Sequence, residues 1–389
     1  MIKYFFIFLL IISVNFSTKA EHQNEPYAFN KMHKYKIDKS ENYHKFDFDL
    51  QDNELSKKVA EQLKNKKTTN LVSYLLYEDG KIKIDQKTKS KYGKYYPSHS
   101  IGKSLVSVVT GYAVCEGYID SVHSNIDYPT VKNTLYEQQK LLNLLNMTAG
   151  DDVYVGQRYF NTDNRIEGSG QNVNSLPIKN IMKKYFKGTN QRSSAATWNT
   201  ITGEISNGVS YNYSAMTTNV IMNYVIYKTG EDWEKLLKKV FTEDAKVKNK
   251  VYFGKSLEKH LYGNIKSGEY GRYSFYAQRD DYLRIGLMIL NHWNNDTCVG
   301  KYLKTMYENR VKKNRTHYGV ESVNQYSQSY GGQFHFDIVG LEDKKILAMD
   351  GFGGQQLIID FDKEMIISVA STDRHYDWIE IVYKTLNQK

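Results

Sequence analysis

Ser100-Ile101-Gly102-Lys103 is the most informative stretch of this sequence, because of what lies on either side of it. An extended run, Lys94-Tyr95-Tyr96-Pro97, precedes it and an apolar run from Leu105 to Val114 follows, which predicts a serine at the N-terminus of a buried helix. Residues three apart on a helix share a face, so the Lys103 ammonium reaches the Ser100 oxygen and, if desolvated, acts as its base. The stretch therefore predicts an activated serine nucleophile.

The same Ser-x-x-Lys spacing recurs at Ser256-Leu257-Glu258-Lys259. That copy lies in a charged stretch, and no apolar helix follows it. We interpret it as a chance occurrence.

Periodicity separates the chain into strands near its two ends and a helical middle. Near the start, Leu71 to Tyr77 and Lys81 to Lys87 predict a β-hairpin closed by the turn Asp79-Gly80. Helical periodicity recurs in Ser104 to Glu116, Gln138 to Asn146, Thr218 to Thr229, Trp233 to Phe241, Asp281 to Trp293 and Lys301 to Arg310. Strand-like segments and a closing helix follow: Gln333 to Val339, Lys345 to Met349, Gln355 to Asp360, Met365 to Ala370, and Asp377 to Leu386.

This order predicts an α/β part and an all-α lobe. We expect an antiparallel sheet formed from both ends of the chain, flanked by helices, with a helical insertion. A catalytic cleft is expected between the two parts. The predicted divisions are a signal peptide at 1–20, an extension at 21–60 and one domain at 61–389, whose α/β part covers about 61–105 and 330–389 and whose helical part covers about 106–329.

Residues 1–20 resemble a secretory signal peptide. Lys3 precedes an apolar run from Tyr4 to Val14, and the small residues Thr18 and Ala20 stand where a signal peptidase cleaves. The apolar run is shorter than the roughly 20 residues of a membrane span, and no later segment qualifies. We therefore expect a periplasmic or secreted mature protein without a stable membrane span; an uncleaved N-terminal anchor is the alternative.

Composition excludes several functional classes. Of the 389 residues 40% are hydrophobic and 14% aromatic, enough for a sizeable core. The net charge of +10 comes from scattered lysines such as Lys57-Lys58 and Lys312-Lys313, without an arginine-rich helix, so nucleic-acid binding is not expected. The ten histidines form no metal-binding spacing, so no metal site is expected.

The two cysteines occupy different kinds of sequence. Cys115 falls at the end of an apolar helical run, where a buried free thiol is expected. Cys298 lies in the polar stretch from Asn294 to Gly300, which predicts a loop. Export permits a disulfide, but a core position and a distant loop do not predict one.

Three separated stretches together resemble the serine β-lactamase and penicillin-binding-protein superfamily. They are Ser100-Ile101-Gly102-Lys103-Ser104, then Tyr213-Ser214-Ala215 leading to Thr229-Gly230, then Gly351-Phe352-Gly353-Gly354-Gln355. More closely, the chain is similar to the class C-like branch that includes esterases and 6-aminohexanoate-dimer hydrolase. Leu144 to Gly150 and Ala277 to Gly286 match further segments of that branch. The resemblance spans residues 70–375, and the joint pattern is more specific than any one motif.

The resemblance implies a role for each matching residue. Ser100 is the implied nucleophile, and Lys103 the group that lowers its proton affinity. Tyr213 is the implied second base, which as a tyrosinate beside Lys103 relays the proton to the leaving group. Tyr211, two residues away, remains a rival; Tyr213 is preferred because its distance to Thr229-Gly230 fits the family pattern.

The resemblance also implies an oxyanion hole on the glycine-rich stretch. Its donors are the backbone N–H groups of Ser100 and Phe352. A glycine-rich β-turn without function is the alternative for this stretch. The implied substrate-binding residues are Asp350, Gly351, Gly354 and Gln355.

Two departures from the family pattern bear on the substrate. Where penicillin-recognising members carry Lys-Thr-Gly or His-x-Gly, this chain has Met349-Asp350-Gly351, so an acid replaces a cation. Where class C lactamases carry Tyr-x-Asn, it has Ala215. Both departures argue against efficient lactamase or transpeptidase activity and favour a substrate that is neutral or carries an amine for Asp350 to pair with.

The sequence therefore predicts an exported serine hydrolase that cleaves a small ester or amide through an acyl-enzyme, without a cofactor. One alternative is a penicillin-binding-protein-like carboxypeptidase or weak β-lactamase. Another is an inactive member that binds cell-wall fragments or a protein. The presence of Ser100, Lys103 and Tyr213 together disfavours the inactive member.

Overall fold

The computed structural model describes residues 29–30, 32–65, 69–90, 92–131, 136–137, 139–149, 211, 213–259, 269–313 and 321–388. The predicted signal peptide lies outside these ranges. Within them, no helix has the length and apolar character needed to cross a membrane.

The strands are β1 Lys34–Ile37, β2 Asp47–Phe48, β3 Leu71–Glu78, β4 Lys81–Lys87, β5 Tyr96–Pro97, β6 Val251–Lys259, β7 Glu269–Ala277, β8 Val311–Lys312, β9 Ser327–Gly331, β10 Phe334–Ile338, β11 Ile346–Asp350, β12 Gln356–Asp360 and β13 Met365–Ser371. The α-helices are α1 Glu54–Lys64, α2 Ile101–Cys115, α3 Leu141–Leu145, α4 Ala215–Thr229, α5 Trp233–Leu237, α6 Arg279–Asn294, α7 Cys298–Glu308, α8 Val323–Tyr326 and α9 Lys384–Asn387. Turns of 3₁₀-helix occupy Pro129–Val131 and Gly230–Asp232, and π-helical turns occupy Lys238–Asp244 and Ile379–Tyr383.

The main sheet joins the two ends of the chain, as predicted. Its order is β2-β4-β3-β13-β12-β11-β10-β9-β8. Neighbouring strands are antiparallel except β2, which runs parallel to β4. The last strand, β13, lies beside β3 with Val369 opposite Tyr74. Because β12 and β13 are buried along their whole length, they form the centre of a sheet covered on both faces.

The predicted hairpin and helices are present, with shifted ends. Asp79 and Gly80 form the β3–β4 turn with φ of 51° and 76°, the conformation that a two-residue hairpin turn requires. Helix α3 is shorter than predicted, and α5 gives way to a π-helical turn after Leu237. Helix α6 packs on the sheet, where the absent side chain of Gly286 leaves room for Leu357 and Ile366.

A second, four-stranded sheet was not predicted from the sequence. Its order is β1-β6-β7-β5, so it joins the N-terminal extension to the middle of the chain. Lys34 pairs with Gly254, and Tyr96 pairs with Ala277. The predicted extension therefore supplies an edge strand. It also supplies the start of α1, where the Asn53 side chain accepts a hydrogen bond from the Ser56 N–H at 2.9 Å.

The second Ser-x-x-Lys copy, 256–259, belongs to strand β6. The motif depends on the helical spacing that places positions three apart on one face. A strand lacks that spacing. This copy therefore does not form a second site of the kind predicted at Ser100.

The expectation of a free thiol at Cys115 is wrong. Cys115 and Cys298 form a disulfide, with 5.8 Å between their Cα atoms and 183 residues between them in sequence. Cys298 is the first residue of α7, not part of a loop. Because α7 packs against α2 through the Tyr302 ring at Gly111, the end of one helix meets the start of the other. That packing could not be read from the sequence.

We expect reduction of the disulfide to lower the free energy of unfolding by about 2 to 4 kcal/mol, because a long loop opens in the unfolded chain. Urea unfolding with and without reductant measures the change. A Cys115→Ser, Cys298→Ser variant is the control, since its midpoint should not respond to reductant. Equal midpoints for the native protein under both conditions would contradict the expected contribution.

Candidate active site

Ser100 and Lys103 lie together at the start of α2. Ser100 immediately precedes the helix and is half-buried, and Lys103 is in its first turn. The Lys103 Nζ donates a hydrogen bond to Ser100 Oγ at 3.0 Å. Lys103 is only 2% exposed, so its ammonium is almost completely removed from water.

The backbone of β7 holds the start of α2 in place. The Ser98 N–H donates to the Phe275 carbonyl at 2.8 Å, and the Phe275 N–H donates to Ser98 Oγ at 3.0 Å. A Cβ on Gly102 would lie 1.9 Å from the Tyr273 carbonyl oxygen. Only glycine fits at this point of the Ser-x-x-Lys stretch, because the strand backbone occupies the space of a side chain.

Tyr213 lies beside the Lys103 ammonium. Its ring centroid is 4.8 Å from Lys103 Nζ. Tyr213 is 37% exposed, so it faces solvent as well as Lys103. The next residue, Ser214, caps α4 by accepting a hydrogen bond from the Thr217 N–H at 3.3 Å, which fixes the segment that carries Tyr213.

Tyr211, the rival residue, lies in the core. It is 4% exposed and packs against Tyr330, with 5.1 Å between ring centroids. Burial raises the pKa of Tyr211 well above its ordinary value. Of the two tyrosines, Tyr213 is therefore the one that meets Lys103.

Tyr273 is a neighbour of Lys103 that the sequence analysis missed. Lys103 Nζ lies 4.0 Å from the centroid of its ring, closer than it lies to the ring of Tyr213. The alternation within Glu269–Ala277 is the signal that could have revealed a strand here. The alternation does not indicate that this strand packs against α2.

These neighbours decide the charge of Lys103. Burial lowers the pKa of Lys103, but the phenols of Tyr213 and Tyr273 raise it, and the net pKa is above its ordinary value. Lys103 is therefore an ammonium at neutral pH. An ammonium stabilises an ionised Ser100. The role of Lys103 as the base of Ser100 stays a prediction.

The buried residue Gln333 is hydrogen-bonded to three helices of the site. Gln333 accepts a hydrogen bond from Thr218 of α4 at 2.7 Å through its side chain and one from Ser104 of α2 at 2.6 Å through its carbonyl. Its amide nitrogen donates to the Leu145 carbonyl of α3 at 3.0 Å. Helix α2, which carries Lys103, and helix α4, which follows Tyr213, are thus hydrogen-bonded to the β9–β10 turn.

The glycine-rich turn after β11 lies against the segment before Ser100. A Cβ on Gly351 would be 2.7 Å from the Ser98 carbonyl oxygen and 3.2 Å from His99 Cβ. Phe352, at the tip of this turn, is 55% exposed. The two predicted oxyanion donors, Ser100 and Phe352, therefore belong to two segments in contact.

Asp350 does not present an unpaired carboxylate to the cleft. Its side chain is 3% exposed, forms an ion pair with Arg374, and accepts a hydrogen bond from Gln356 at 3.1 Å. Arg374 also donates to the carbonyls of Phe352 at 3.0 Å and Gly351 at 3.1 Å. The contacts of Asp350 do not support the amine-binding role expected from the sequence. Its charge is used to hold Arg374 across the turn.

Gln355 and Gly354 also have structural partners. The Gln355 amide nitrogen donates to the Ser371 carbonyl at 2.8 Å and the residue is buried. Gly354 has φ of 85°, and a Cβ there would lie 3.0 Å from the Tyr376 ring. Both residues therefore join the glycine-rich turn to the segment around Ser371 and Tyr376. Among the residues described, no cluster of three or more His, Cys, Asp or Glu could hold a metal ion.

No protein-family model matches this sequence, and none of the curated proteins matches it. Solved structures do match. A candidate 6-aminohexanoate-dimer hydrolase from Bacillus anthracis superposes with a TM-score of 0.63 at 14% identity, covering 95% of this chain and 93% of that one. A candidate beta-lactamase from Bacteroides dorei DSM 17855 gives 0.54 at 15% identity, over 85% and 97% of the chains. An octameric penicillin-binding protein homologue from Pyrococcus abyssi gives 0.52 at 15% identity, over 86% and 76%. These likenesses confirm the fold that the resemblance to β-lactamases and penicillin-binding proteins implies, a β-lactamase/transpeptidase-like α/β part with an all-α lobe.

We expect Gly102→Ala to slow reaction at Ser100 by roughly 10-fold or more, since the added methyl displaces α2 from the β7 backbone. It should also cost about 1 to 3 kcal/mol of stability. Gly111→Ala is the matched control on the same helix, where the new methyl would meet the Tyr302 ring, 2.7 Å away, instead of backbone. Urea unfolding and the rate of Ser100 labelling by a fluorophosphonate measure the two effects. Equal labelling rates in the two variants would contradict the proposed cause.

Arg374→Met should lower the free energy of unfolding by about 3 to 5 kcal/mol, because it leaves the Asp350 carboxylate buried without its partner. Adding Asp350→Asn to that variant should restore part of the loss. Chemical denaturation of the two single variants and the double variant measures the coupling. Strictly additive losses would show that the ion pair does not hold the turn.

Proposed function

We propose that this protein is an exported serine hydrolase of the β-lactamase and penicillin-binding-protein superfamily that cleaves a small ester or amide through an acyl-enzyme. The observation that carries the proposal is the 3.0 Å contact between Ser100 Oγ and Lys103 Nζ, with Tyr213 beside the ammonium. A hydroxyl next to a buried cation ionises more readily, because the charge stabilises the alkoxide. The likeness of fold to hydrolases supports the same conclusion.

In acylation, Ser100 Oγ forms a bond to the substrate carbonyl carbon while its proton passes to the phenolate oxygen of Tyr213. The Lys103 ammonium stabilises the phenolate before the transfer and the ionising serine during it. The tetrahedral intermediate then loses its leaving group, which takes the proton from Tyr213. The products are acylated Ser100 and a free alcohol or amine.

Deacylation reverses these roles with water. A water molecule gives its proton to the Tyr213 phenolate and attacks the acyl carbon. The bond to Ser100 Oγ breaks, and the serine oxygen recovers the proton from Tyr213. A carboxylic acid leaves, and the enzyme returns to its starting state without a cofactor.

The oxyanion of each tetrahedral intermediate needs two N–H donors. We assign these to the backbone of Ser100, at the start of α2, and of Phe352, on the glycine turn packed against that segment. Arg374 donates to the Gly351 carbonyl, which shares a peptide group with the Phe352 N–H, and to the Phe352 carbonyl, and so supports the turn. The donors are thus carried by segments that other contacts already fix.

A neutral substrate fits this cleft best. The Asp350 carboxylate is neutralised by Arg374 and does not attract an amine. The Arg374 guanidinium is held by Asp350 and two carbonyls, which leaves few donors for a substrate carboxylate. This charge balance favours short neutral esters and amides.

A carboxypeptidase or weak β-lactamase is the second candidate. It is favoured by Arg374, whose side chain is 18% exposed and interacts electrostatically with Tyr213, so a cation does stand near the place where the family motif carries one. Comparing hydrolysis of p-nitrophenyl acetate and nitrocefin separates the two candidates. Faster turnover of nitrocefin would select the second.

Two features support export. The first is the signal-like segment 1–20. The second is the Cys115–Cys298 disulfide, since disulfides persist in oxidising compartments and are rare in the cytosol. N-terminal sequencing of the protein purified from its host would test cleavage after Ala20.

Ser100→Ala should abolish both hydrolysis and fluorophosphonate labelling while the fold is retained, because the change removes one half-buried oxygen. Ser104→Ala is the matched control: this serine is on the same helix, but its hydroxyl donates to the Gln333 carbonyl. The Ser104→Ala variant should still be labelled at Ser100. Peptide mass spectrometry locates the adduct. Hydrolysis that persists in Ser100→Ala would refute the mechanism.

Lys103→Ala should lower kcat/KM by roughly 10²- to 10⁴-fold, because the proton transfer loses its stabilising charge. Substrate binding should persist, since Lys103 reaches the serine and the phenols. Steady-state kinetics with p-nitrophenyl acetate gives the rate, and binding to the Lys103→Ala variant is measured by calorimetry. A loss of binding with an unchanged chemical rate would place Lys103 in recognition instead.

A further inference from the structure

We propose that Tyr273 is a positioning residue, which holds Lys103 in its cationic form and thereby leaves Tyr213 as the group that takes the proton of Ser100. The inference rests on the proposed function. It goes beyond it by adding a residue from β7 to a site otherwise built from α2 and the segment before α4.

The Tyr273 ring is the closer of two aromatic rings that contact the buried ammonium. Lys103 Nζ is 4.0 Å from the centroid of Tyr273 and 4.8 Å from that of Tyr213. The ring face attracts a cation, most strongly where water is excluded, as it is around Lys103. A charge removed from water needs such partners to remain charged.

The position of Tyr273 is fixed by its strand. Two residues before it, Gly271 exchanges two hydrogen bonds with the Asn223 side chain of α4, at 2.8 and 3.1 Å. Two residues after it, Phe275 is bonded to Ser98. Between these anchors the Tyr273 carbonyl packs on Gly102. The ring is therefore held against Lys103 before any substrate arrives.

The groups that act on Lys103 are phenols. Among the described residues, those that shift its pKa are Tyr213 and Tyr273, and no carboxylate contributes. From the other elements packed on α2, Asp350 of β11 pairs with Arg374, and Tyr302 of α7 bonds to Ser107. On α4, Tyr224 and Lys228 bond to Asp127. Arg374 interacts electrostatically with Tyr213.

The direction of the pH effect follows from this arrangement. Tyr273 raises the pKa of Lys103, and its ring face contacts the ammonium, so removing the ring lowers that pKa. Activity that needs the ammonium is present at lower pH and is lost as pH rises through that pKa. Tyr273→Leu should therefore move the alkaline limb of the rate profile to lower pH.

The first measurement is the rate of Ser100 labelling by a fluorophosphonate across neutral and alkaline pH. Tyr276→Leu is the matched control, because this tyrosine is on the same strand but its ring packs on Phe29. The alkaline limb should shift in Tyr273→Leu and not in Tyr276→Leu, and labelling at the optimum should slow by at most about 100-fold. A slower rate with an unshifted profile would overturn the inference, since it would indicate a merely structural tyrosine.

The second measurement does not require enzyme activity. In a Ser100→Ala background, carbamoylation of Lys103 by cyanate, followed by peptide mass spectrometry, reports how much neutral amine is present at each pH. Adding Tyr273→Leu should make Lys103 reactive at lower pH. An identical pH dependence in the two proteins would overturn the inference even where Ser100 labels normally.

The two measurements separate the failure of the inference from the failure of the proposed function. A wild type that resists the fluorophosphonate while Lys103 shows the cyanate shift would refute the hydrolase and retain the role of Tyr273. If Tyr273→Leu does not fold, the reactivity of Lys103 in the wild type still tests the inference. A Lys103 already fully reactive at neutral pH would overturn the inference.

Discussion

The first turn of α2 lies directly on the backbone of β7, and the site depends on that contact. The Tyr273 carbonyl fills the space that a side chain at Gly102 would need, and Ser98 is bonded to Phe275 on the same strand. Helix and strand are both rigid elements, so the Lys103 side chain enters the interior at one fixed point. The glycine in the Ser-x-x-Lys stretch is required by packing rather than by chemistry.

That packing places the Lys103 ammonium where water is absent, so neighbouring groups must stabilise the charge. Burial alone lowers the pKa of Lys103, but two phenols outweigh the burial. In the proposed mechanism Lys103 and Tyr213 therefore have different roles. The Lys103 cation stabilises the ionised serine, and Tyr213 carries the proton. A neutral lysine would compete for that proton.

The other wall of the cleft depends on an ion pair that is distant in sequence. Asp350 ends β11 and Arg374 follows β13, and their pairing joins two strand ends across the glycine turn. Arg374 also bonds to two carbonyls of the turn. The same pair neutralises the Asp350 carboxylate, so the geometry of the turn and the charge beside it depend on one contact.

The sequence by itself determined the elements and motifs that local patterns encode. The Asp79-Gly80 hairpin, the apolar helix after Ser100 and the strands near both ends follow from turn chemistry and periodicity, and strands near both ends predict a sheet that joins them. Tertiary structure alone decided which distant groups meet: Cys298 reaches Cys115, Arg374 neutralises Asp350 and Tyr273 covers Lys103. No local pattern encodes these pairs, because each depends on how helices and strands pack. The charge of Lys103 and the availability of Asp350 depend on those pairs, so they could not be predicted from the residues alone.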